Sequence, residues 1–428
     1  MNLTMLVISA IIVAIALGFV FKINVGLLAI VFSYIIGAFF MGLKTKDIIL
    51  MWPTNLFWMI LTITFFYGFA MSNGTLSVIA RKTVFASRKY PYLIPITLYI
   101  LTLIISGIGP GAIAVFALMS PLIMAIVMES NISPILGATI IICGGSAGGW
   151  SPIAVNGVVT RGVIETAGYG ADSSALSASV FSNMLIVCTI VFILAYFILG
   201  GYKAKALNME TPPDFNRDQI INIYLIATVL LVAILPQVLA VIFPASKMLA
   251  FLKNQIEITF IAVIGSVIAM FYKIGNEKDV ISKVPWGIIV LICGTGMLIS
   301  VAVAAGTITT LSAWMGNHVS AATAPIFLSI VSGVMSIFSS TLGVVIPTLY
   351  PMVPGVIEAT GNNPGVLFSI IAVSSVLVAY SPFSTAGALA VAAVADEAKR
   401  KTLFNTLLII PFITLCLNVL FVVIGVIY

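Results

Sequence analysis

The sequence predicts an all-α polytopic membrane protein. It predicts two inverted repeats, each with five spans and one re-entrant hairpin, and discontinuous helices at the midplane. Three observations support this fold class. The chain of 428 residues is 61% hydrophobic and only 7% charged. Apolar runs of about 20 residues, long enough to cross a bilayer core, recur along it. Residues 106–157 and 336–387 align at a constant offset of 230, which indicates an internal repeat.

The composition also excludes several classes of protein. A mean hydropathy of +1.23 is incompatible with a water-soluble domain of this size. The N-terminus lacks the basic region of a secretory signal, so residues 3–21 are predicted to be an uncleaved span. The net charge of +6 comes from short loops and therefore concerns membrane orientation, not nucleic acid. Four cysteines lie within apolar segments, which predicts free thiols: Cys143, Cys188, Cys293 and Cys416.

Ten full spans are predicted along the chain. In order they are 3–21, 25–43, 55–72, 134–164, 177–199, 219–243, 256–272, 286–304, 364–394 and 403–427. Two other apolar stretches, 92–128 and 322–358, are too long for one span and have small or polar residues in the middle. Each is predicted to be a re-entrant hairpin, because irregular backbone at that depth is tolerated only where protein or a watery cavity covers it.

The repeat divides the chain into two halves. Prolines pair at the same offset: Pro121 with Pro351, Pro134 with Pro364, and Pro152 with Pro382. The first repeat is predicted to cover residues 1–200 (hairpin 92–128, broken span 134–164). A polar cytoplasmic linker covers 201–218, and the second repeat covers 219–428 (hairpin 322–358, broken span 364–394). Five spans is an odd number, so the second half must be inverted relative to the first.

The distribution of lysine and arginine predicts the orientation. With the N-terminus outside, fourteen of these residues fall in cytoplasmic segments and five in outer segments. This is a strong positive-inside bias. We therefore expect a multi-pass protein of the inner (plasma) membrane with both termini outside. The first hairpin would enter from the cytoplasm and the second from outside.

The two broken spans carry the strongest signals of a binding site. The glycine run within residues 143–152 cannot sustain a helix cheaply, so a break is predicted there. Ser151 followed by Pro152 has the pattern of an N-cap and a first helical residue, and Ser381-Pro382 repeats it. The second arms of the hairpins should begin just after Gly111 and Thr341. Four helix N-termini are thus predicted to converge at the midplane.

Converging N-termini offer free backbone N–H groups and partial positive charge, and they bind anions without a buried arginine. No lysine or arginine lies in the middle of a predicted span; Arg161 comes nearest, toward the outer end of the fourth. The predicted substrate-binding residues are Ser106, Gly109, Gly111, Ser151, Asn156, Ser339, Ser340, Thr341, Ser381, Ser384 and Thr385. Carbonyl and hydroxyl oxygens nearby are typical of sodium sites. The predicted sodium ligands are Ser106, Gly145, Ser146, Gly148, Ser336, Ser339 and Ala379.

The acidic residues bear on the coupling ion. None lies in the middle of a predicted span, and Glu129 and Glu358 merely end the two hairpins. A proton-exchanging pump usually needs an intramembrane carboxylate. The sequence therefore favours sodium coupling, or no coupling, over a proton relay. His318, the single histidine, is predicted to be a surface residue of an outer loop. Trp150 either lines the substrate cavity or serves in packing.

At these residues the chain resembles the ion transporter superfamily, which includes the divalent-anion:sodium symporters. It resembles in particular the malonate-carrier (MatC-like) dicarboxylate branch. In the symporters each hairpin tip carries a Ser-Asn-Thr signature, which Ser339-Ser340-Thr341 nearly matches. The first tip, Gly109-Pro110-Gly111, departs from it. Their Thr-Pro-Pro loop motif corresponds loosely to Ser151-Pro152 and Ser381-Pro382. The resemblance implies a homodimer, elevator-type movement of a transport domain and a carboxylate substrate.

Together these observations predict a secondary active transporter for a small carboxylate, a dicarboxylate such as malonate or succinate, coupled to sodium and working by elevator-type alternating access. The expected partners are the substrate, sodium, the lipid bilayer and a second copy of the chain, with no nucleic acid and no cofactor besides sodium. The alternative is a cation/proton antiporter or an arsenite-type permease of the same superfamily. A membrane enzyme would need a metal cluster or a nucleophile–base pair, and a channel would not need discontinuous helices.

Overall fold

The computed structural model describes residues 3–206, 210–243, 246–307, 310 and 319–428. Within these ranges all regular secondary structure is helical. Seven of the helices described there are long and apolar enough to cross a membrane, and seven shorter apolar helices accompany them. The all-α prediction is confirmed. His318 lies outside the described residues.

The helices of the first half are bounded as follows: α1 Leu3–Phe21, α2 Val25–Ile35, α3 Thr45–Leu50, α4 Thr54–Ser72, α5 Thr75–Ser87, α6 Ile94–Gly107, α7 Gly111–Glu129, α8 Pro134–Thr139, α9 Gly145–Gly149, α10 Val155–Ile164 and α11 Ser173–Ile198. Short π-helical segments extend α2 (Ile36–Phe40), join α8 to α9 (Ile140–Gly144) and extend α10 (Glu165–Tyr169). Short 3-10 turns occupy Pro91–Leu93 and Gly201–Lys203.

The helices of the second half are bounded as follows: α12 Arg217–Ile242, α13 Lys247–Gln255, α14 Ile258–Phe271, α15 Glu277–Lys283, α16 Trp286–Ala304, α17 Ala324–Phe338, α18 Ile346–Leu349, α19 Val353–Thr360, α20 Pro364–Leu377, α21 Thr385–Ala392 and α22 Glu397–Val423. A π-helical segment, Thr341–Val345, leads into α18, and a 3-10 turn, Tyr350–Met352, joins α18 to α19.

Helices occupy all ten predicted spans and both arms of each predicted hairpin. The arms are α6 and α7 in the first half, and α17 and Thr341–Thr360 in the second. The depth of the hairpins in a membrane, the orientation and the repeat boundaries stay predictions. The four cysteines are free thiols, as expected, and only Cys416 is exposed.

The helices that precede the two breaks are almost completely buried. Every residue of α9 is buried, and so is nearly every residue of α20. The helix α9 packs on α6, while α20 packs on α11 and α17. One apolar core joins these elements. Each break thus follows a buried helix, and each contains one exposed residue, Pro152 in the first and Phe383 in the second.

The glycine run is predicted to interrupt the fourth span, and this prediction is wrong in position. The chain stays helical to Gly149, and the break occupies residues 150–154. A Cβ on Gly148 would lie 1.9 Å from the carbonyl oxygen of Leu103 in α6. Glycine is thus needed there for close helix packing, as at other tight helix contacts, and not to end the helix.

The predicted N-caps are also displaced. Ser151 and Pro152 lie in the turn, and α10 begins at Val155 after Ala154. In the second half Ser384, not Ser381, is the N-cap of α21, and its side chain accepts a hydrogen bond from Gly387 N at 3.1 Å. The physical reason is a tight turn before each helix. The carbonyl of Ser381 accepts from Ser384 N at 2.9 Å, which delays the helix by three residues.

Candidate functional site

A cavity of about 220 Å³ lies where four helical segments begin. The segments are α7, α10, Thr341–Val345 and α21. We call it the central cavity. Its lining residues are Ala112, Ile113, Phe116, Ser146, Trp150, Asn156, Ser336, Ser339, Ser340, Thr341, Leu342, Val376, Ala379, Phe383, Ser384, Thr385 and Ala386. Among these described residues none carries a charge. The convergence of four N-termini predicted from the sequence is found at this cavity.

Most of the hydroxyl groups come from the second hairpin. Ser340 is an N-cap, and its Oγ accepts a hydrogen bond from Gly343 N at 3.1 Å. Thr341 Oγ1 lies 3.0 Å from Ser336 Oγ. Ser339 Oγ donates to the Met335 carbonyl at 2.6 Å. Each hydroxyl is held in place by the hairpin and still lies on the cavity wall, so it has acceptor or donor capacity for a bound molecule.

The second broken span adds the start of α21. The Ser384 side chain caps α21 and also donates to the carbonyl of Ala379 across the turn. Thr385 and Ala386, the first residues of α21, line the cavity beside it. Because the first N–H groups of a helix have no partner within the helix, this wall favours negative charge.

The first half contributes less polar chemistry. Asn156, at the start of α10, is the main polar side chain from it, together with Ser146 of α9. Trp150 is 2% exposed, and its indole N–H has no hydrogen-bond partner among the described residues. Trp150 lines the central cavity and also packs in the apolar core, so the structure supports both roles open for it. Phe116 and Phe383 also line it, and sequence reasoning missed both, because aromatic residues are common throughout the chain.

Six of the eleven predicted substrate-binding residues line the central cavity: Asn156, Ser339, Ser340, Thr341, Ser384 and Thr385. The other five do not line the cavity, although the same two hairpins and breaks predict them as site residues. Ser106 Oγ donates to the Gly145 carbonyl at 2.6 Å, and Ser151 Oγ donates to the Gly107 carbonyl at 2.6 Å. Ser381 Oγ accepts from Phe383 N at 3.3 Å. The hydroxyls of Ser106 and Ser151 tie the first hairpin to the first broken span, and that of Ser381 bonds within its own turn.

The last two of these five are the glycines of the first tip. Gly109 has φ +149°, and a Cβ on it would lie 1.8 Å from the Tyr67 ring. Gly111 has φ +78°, and a Cβ there would lie 3.0 Å from Asn156 Oδ1. Both positions favour glycine for backbone conformation and close approach. A side chain at position 111 would crowd Asn156, and Gly111 itself does not line the cavity.

Four of the seven predicted sodium ligands line the central cavity: Ser146, Ser336, Ser339 and Ala379. Ser106, Gly145 and Gly148 do not. The Gly145 carbonyl accepts from Ser106 Oγ, and the Gly148 carbonyl accepts from Ser151 N at 2.8 Å. Groups of three or more His, Cys, Asp or Glu side chains that suit a metal ion do not occur in the part of the chain that the structure describes. A cation here would have to be held by neutral oxygens.

The two breaks share a detailed local geometry. A Cβ on Gly157 would lie 2.0 Å from the Ser151 carbonyl oxygen, and one on Gly387 would lie 2.2 Å from that of Ser381. The hairpins are tied to the broken spans in matching ways too. Ser106 Oγ bonds the Gly145 carbonyl at 2.6 Å, and Ser336 Oγ bonds the Ser375 carbonyl at 2.8 Å. Each residue in these contacts of the first half corresponds to the residue 230 positions later in the second half: Gly157 to Gly387, Ser151 to Ser381, Ser106 to Ser336 and Gly145 to Ser375.

A second cavity of about 190 Å³ adjoins the first. We call it the side cavity. It shares Ile113, Asn156 and Leu342 with the central cavity. Tyr67 and Lys283 also line it, and sequence reasoning missed both. The sequence places Lys283 in a loop, and no pattern in the sequence indicates that this loop reaches a cavity.

The comparisons with known proteins agree with this picture. Residues 1–149 match the family described as the dicarboxylate carrier protein MatC N-terminus. The comparison with curated proteins gives no match. Among solved structures, the crystal structure of the YdaH transporter of Alcanivorax borkumensis is similar, with a TM-score of 0.56 and 13% sequence identity. The alignment covers 89% of this chain and 87% of that one.

At this level of identity the structural likeness shows a shared fold alone, and the family match extends over 149 of the 428 residues. The resemblance to the MatC-type dicarboxylate carriers is therefore confirmed over residues 1–149, and this match indicates a transport protein rather than an enzyme. The seven long apolar helices among the described residues indicate a multi-pass membrane protein.

Proposed function

We propose that the chain is a secondary active transporter that moves a small dicarboxylate, such as malonate or succinate, together with sodium. The observation that carries this proposal is the central cavity, where four helical segments begin around hydroxyl groups and where none of the described lining residues is charged. Each helix N-terminus carries roughly half a positive charge, so the four together can balance a doubly charged anion. The cavity volume, about 220 Å³, is below the range of about 300–1,000 Å³ typical of drug-sized ligands, which favours a small metabolite.

Neutral donors also suit transport better than a buried arginine would. A transporter must release its substrate, and a fixed guanidinium–carboxylate pair is among the stronger interactions in proteins. Hydroxyl groups such as those of Ser339, Ser340 and Thr341 bind a carboxylate with smaller individual energies. The arrangement therefore supports binding that is specific and still reversible.

Sodium coupling is supported by the oxygens near the second hairpin. The hydroxyls of Ser336 and Ser339 and the backbone around Ala379 offer neutral ligands of the kind that hold sodium at discontinuous helices. No carboxylate is among the described residues that line the central cavity, so a proton relay would have no carrier there. This argues against the alternative of a cation/proton antiporter. The described lining residues also include no cysteine, the thiol that an arsenite-type permease would need.

The proposed mechanism is elevator-type alternating access by two inverted repeats. The matching turns at Gly157 and Gly387, and the matching bonds of Ser106 and Ser336, support a pseudo-twofold relation between the halves. With five spans in each half, the two hairpins would be re-entrant from opposite sides. The hairpins and broken spans would form the moving domain. The remaining spans would form the scaffold of a homodimer in the inner membrane, with both termini outside.

The test is uptake of radiolabelled malonate and succinate by proteoliposomes. We expect an inward sodium gradient to drive uptake and an inward proton gradient alone to leave it at background. Ser339→Ala should raise the KM about tenfold, because hydrogen bonds to a charged group contribute about 1.5 kcal/mol or more. Uptake that needs no sodium, or that follows the proton gradient, would contradict the coupling proposed here.

The matched control is Ser182→Ala. Ser182 lies on α11, and its Oγ donates to the Ala178 carbonyl at 2.9 Å, the same backbone contact that Ser339 makes with Met335. Because Ser182 does not line the central cavity, the same loss of a hydroxyl should leave the KM unchanged. Equal effects of the two variants would show that the central cavity is not the substrate site.

A further inference from the structure

The side cavity has walls unlike those of the central cavity. Apart from Lys283, Asn156, Thr64 and Tyr67, its lining is apolar, with residues such as Ile60, Ile288 and Leu342. The hydroxyls of Thr64 and Tyr67 are already engaged with backbone carbonyls of Ile60 and Ile108. These walls cannot hold an anion by themselves. They form a low-dielectric passage in which a single charge acts over a longer distance than in water.

Lys283 is the one charged residue among the described residues that line this cavity. It is the last residue of the short helix α15, and it is exposed. It makes no salt bridge within the described ranges of the chain, where the ion pairs are Lys82–Asp214 and Arg161–Glu165. Its ammonium group is thus available to a mobile anion.

Asn156 lies between the two cavities. Its side chain is 3% exposed and lines both of them at the start of α10. An anion that enters the side cavity past Lys283 therefore meets the start of α10 next. The segment that contains α15 and Lys283 is predicted to face the cytoplasm. The side cavity would therefore give access from that side of the membrane.

A lysine at a helix C-terminus has an ordinary explanation, because it complements the helix dipole. Lys278, on the same helix, is exposed as well and does not line the side cavity. Substituting each lysine in turn therefore distinguishes two effects. A general effect of positive charge on α15 would appear at both positions, whereas an effect that requires contact with the side cavity would appear only at Lys283.

We propose that the side cavity is the cytoplasmic access path of the substrate, and that Lys283 attracts the anion into it. This inference rests on the proposed function, because it requires an anionic substrate. A cleft that carries one sign of charge between low-dielectric walls raises the local concentration of the opposite ion and increases its association rate. Lys283 acts on access from one side and does not belong to the central cavity.

The test compares the two faces of the membrane. Uptake of radiolabelled malonate and succinate is measured in inside-out and right-side-out vesicles that contain the full chain. In inside-out vesicles Lys283→Gln should raise the KM by about tenfold with kcat unchanged, within the range of electrostatic steering. Lys283→Arg and Lys278→Gln should behave like the wild type. In right-side-out vesicles all variants should have the wild-type KM.

Salt and charge replacement give independent readouts. The inside-out KM of the wild type should rise with ionic strength, while that of Lys283→Gln should stay constant. Lys283→Cys in a Cys416→Ser background should regain the wild-type KM after modification with a cationic thiosulfonate, and an anionic thiosulfonate should raise the KM further. Recovery by the cationic reagent shows that the variant is folded and that charge is what matters.

The outcomes separate this inference from the proposed function. If the wild type takes up neither dicarboxylate, the proposed function fails and the inference fails with it. If the wild type transports but Lys283→Gln matches it in inside-out vesicles, only the access path is overturned. The access path is also overturned if Lys283→Gln raises the KM equally on both faces, since that would indicate a general structural effect.

Discussion

The two hairpin tips occupy matching places in the fold and differ in chemistry. The first tip, Gly109-Pro110-Gly111, is buried in the protein. The Tyr67 hydroxyl donates to the Ile108 carbonyl, and the Gly109 carbonyl accepts from Val155 N at 3.2 Å. None of its three residues lines the central cavity. At the second tip, Ser339, Ser340 and Thr341 all line the central cavity.

The difference shows that a repeated architecture does not require repeated chemistry. The first tip serves in packing. The backbone at residues 108 and 109 is hydrogen-bonded to α4 and α10, and Gly109 leaves room for the Tyr67 ring. The second tip supplies hydroxyl groups. We therefore expect substitutions at equivalent positions to have similar effects on folding and different effects on substrate binding.

The largest effects should come where the two halves are alike. Gly157→Ala and Gly387→Ala each place a Cβ within 2.2 Å of a backbone carbonyl oxygen, that of Ser151 or of Ser381. Backbone must shift in both cases, at a cost of about 1–3 kcal/mol. We expect both variants to lose most of their folded yield, as measured by the monodisperse fraction in detergent and by thermal unfolding.

Gly287→Ala is the control for these two substitutions, because a Cβ there meets no atom within 4 Å. It should retain the wild-type yield. If one of the two variants folded normally while the other did not, the geometric equivalence of the two breaks would be lost, and with it the main support for two repeats.

A smaller and more selective effect should separate Ser106 from Ser336. Both hydroxyls bond a backbone carbonyl of the neighbouring broken span, at 2.6 and 2.8 Å. Only Ser336 lines the central cavity. We expect Ser336→Ala to raise the KM for dicarboxylate uptake about tenfold. Ser106→Ala should lower the unfolding temperature, since it removes the hydroxyl bond to the Gly145 carbonyl, with the KM unchanged. An increase of the KM in Ser106→Ala would mean that the first tip also contacts substrate.

The positions of the helices can be predicted from the sequence, because length and hydropathy determine a span and prolines mark its ends. The breaks can be located to within a few residues for the same reason. Their limits depend on tertiary packing. Glycine at position 148 serves a contact with Leu103 in α6, and a local reading of the glycine run cannot distinguish that use from a helix break.

About half of the candidate site can be predicted from the sequence, and the wrong predictions have physical causes. Ser339, Ser340 and Thr341 are predictable because a polar cluster in an apolar stretch has few other uses. Ser151 and Ser381 are predicted as site residues because of the proline that follows each of them. The Ser151 side chain instead bonds the end of α6, and that of Ser381 bonds within its own turn. Lys283 and Tyr67 reach their cavity only through the folding of distant segments, for which a single sequence contains no signal.

The smallest expected effect concerns how each tip is held by a neighbouring helix. Tyr67 of α4 donates to the Ile108 carbonyl, next to the first tip. Thr295 of α16 donates to the Gly343 carbonyl at 2.5 Å, two residues after the second tip. Tyr67→Phe and Thr295→Val each remove one buried hydrogen bond, which costs about 1 kcal/mol and should lower the unfolding temperature similarly. Because Gly343 N also bonds the cap Ser340, Thr295→Val should in addition raise the KM about twofold to threefold, a change of well under 1 kcal/mol. Tyr67→Phe should leave the KM at the wild-type value.

Thermal unfolding and dicarboxylate uptake on the same preparations measure both effects. An unchanged KM in Thr295→Val would mean that the second tip keeps its geometry without α16, whereas a raised KM in Tyr67→Phe would give the first tip a part in binding and remove the contrast between the two.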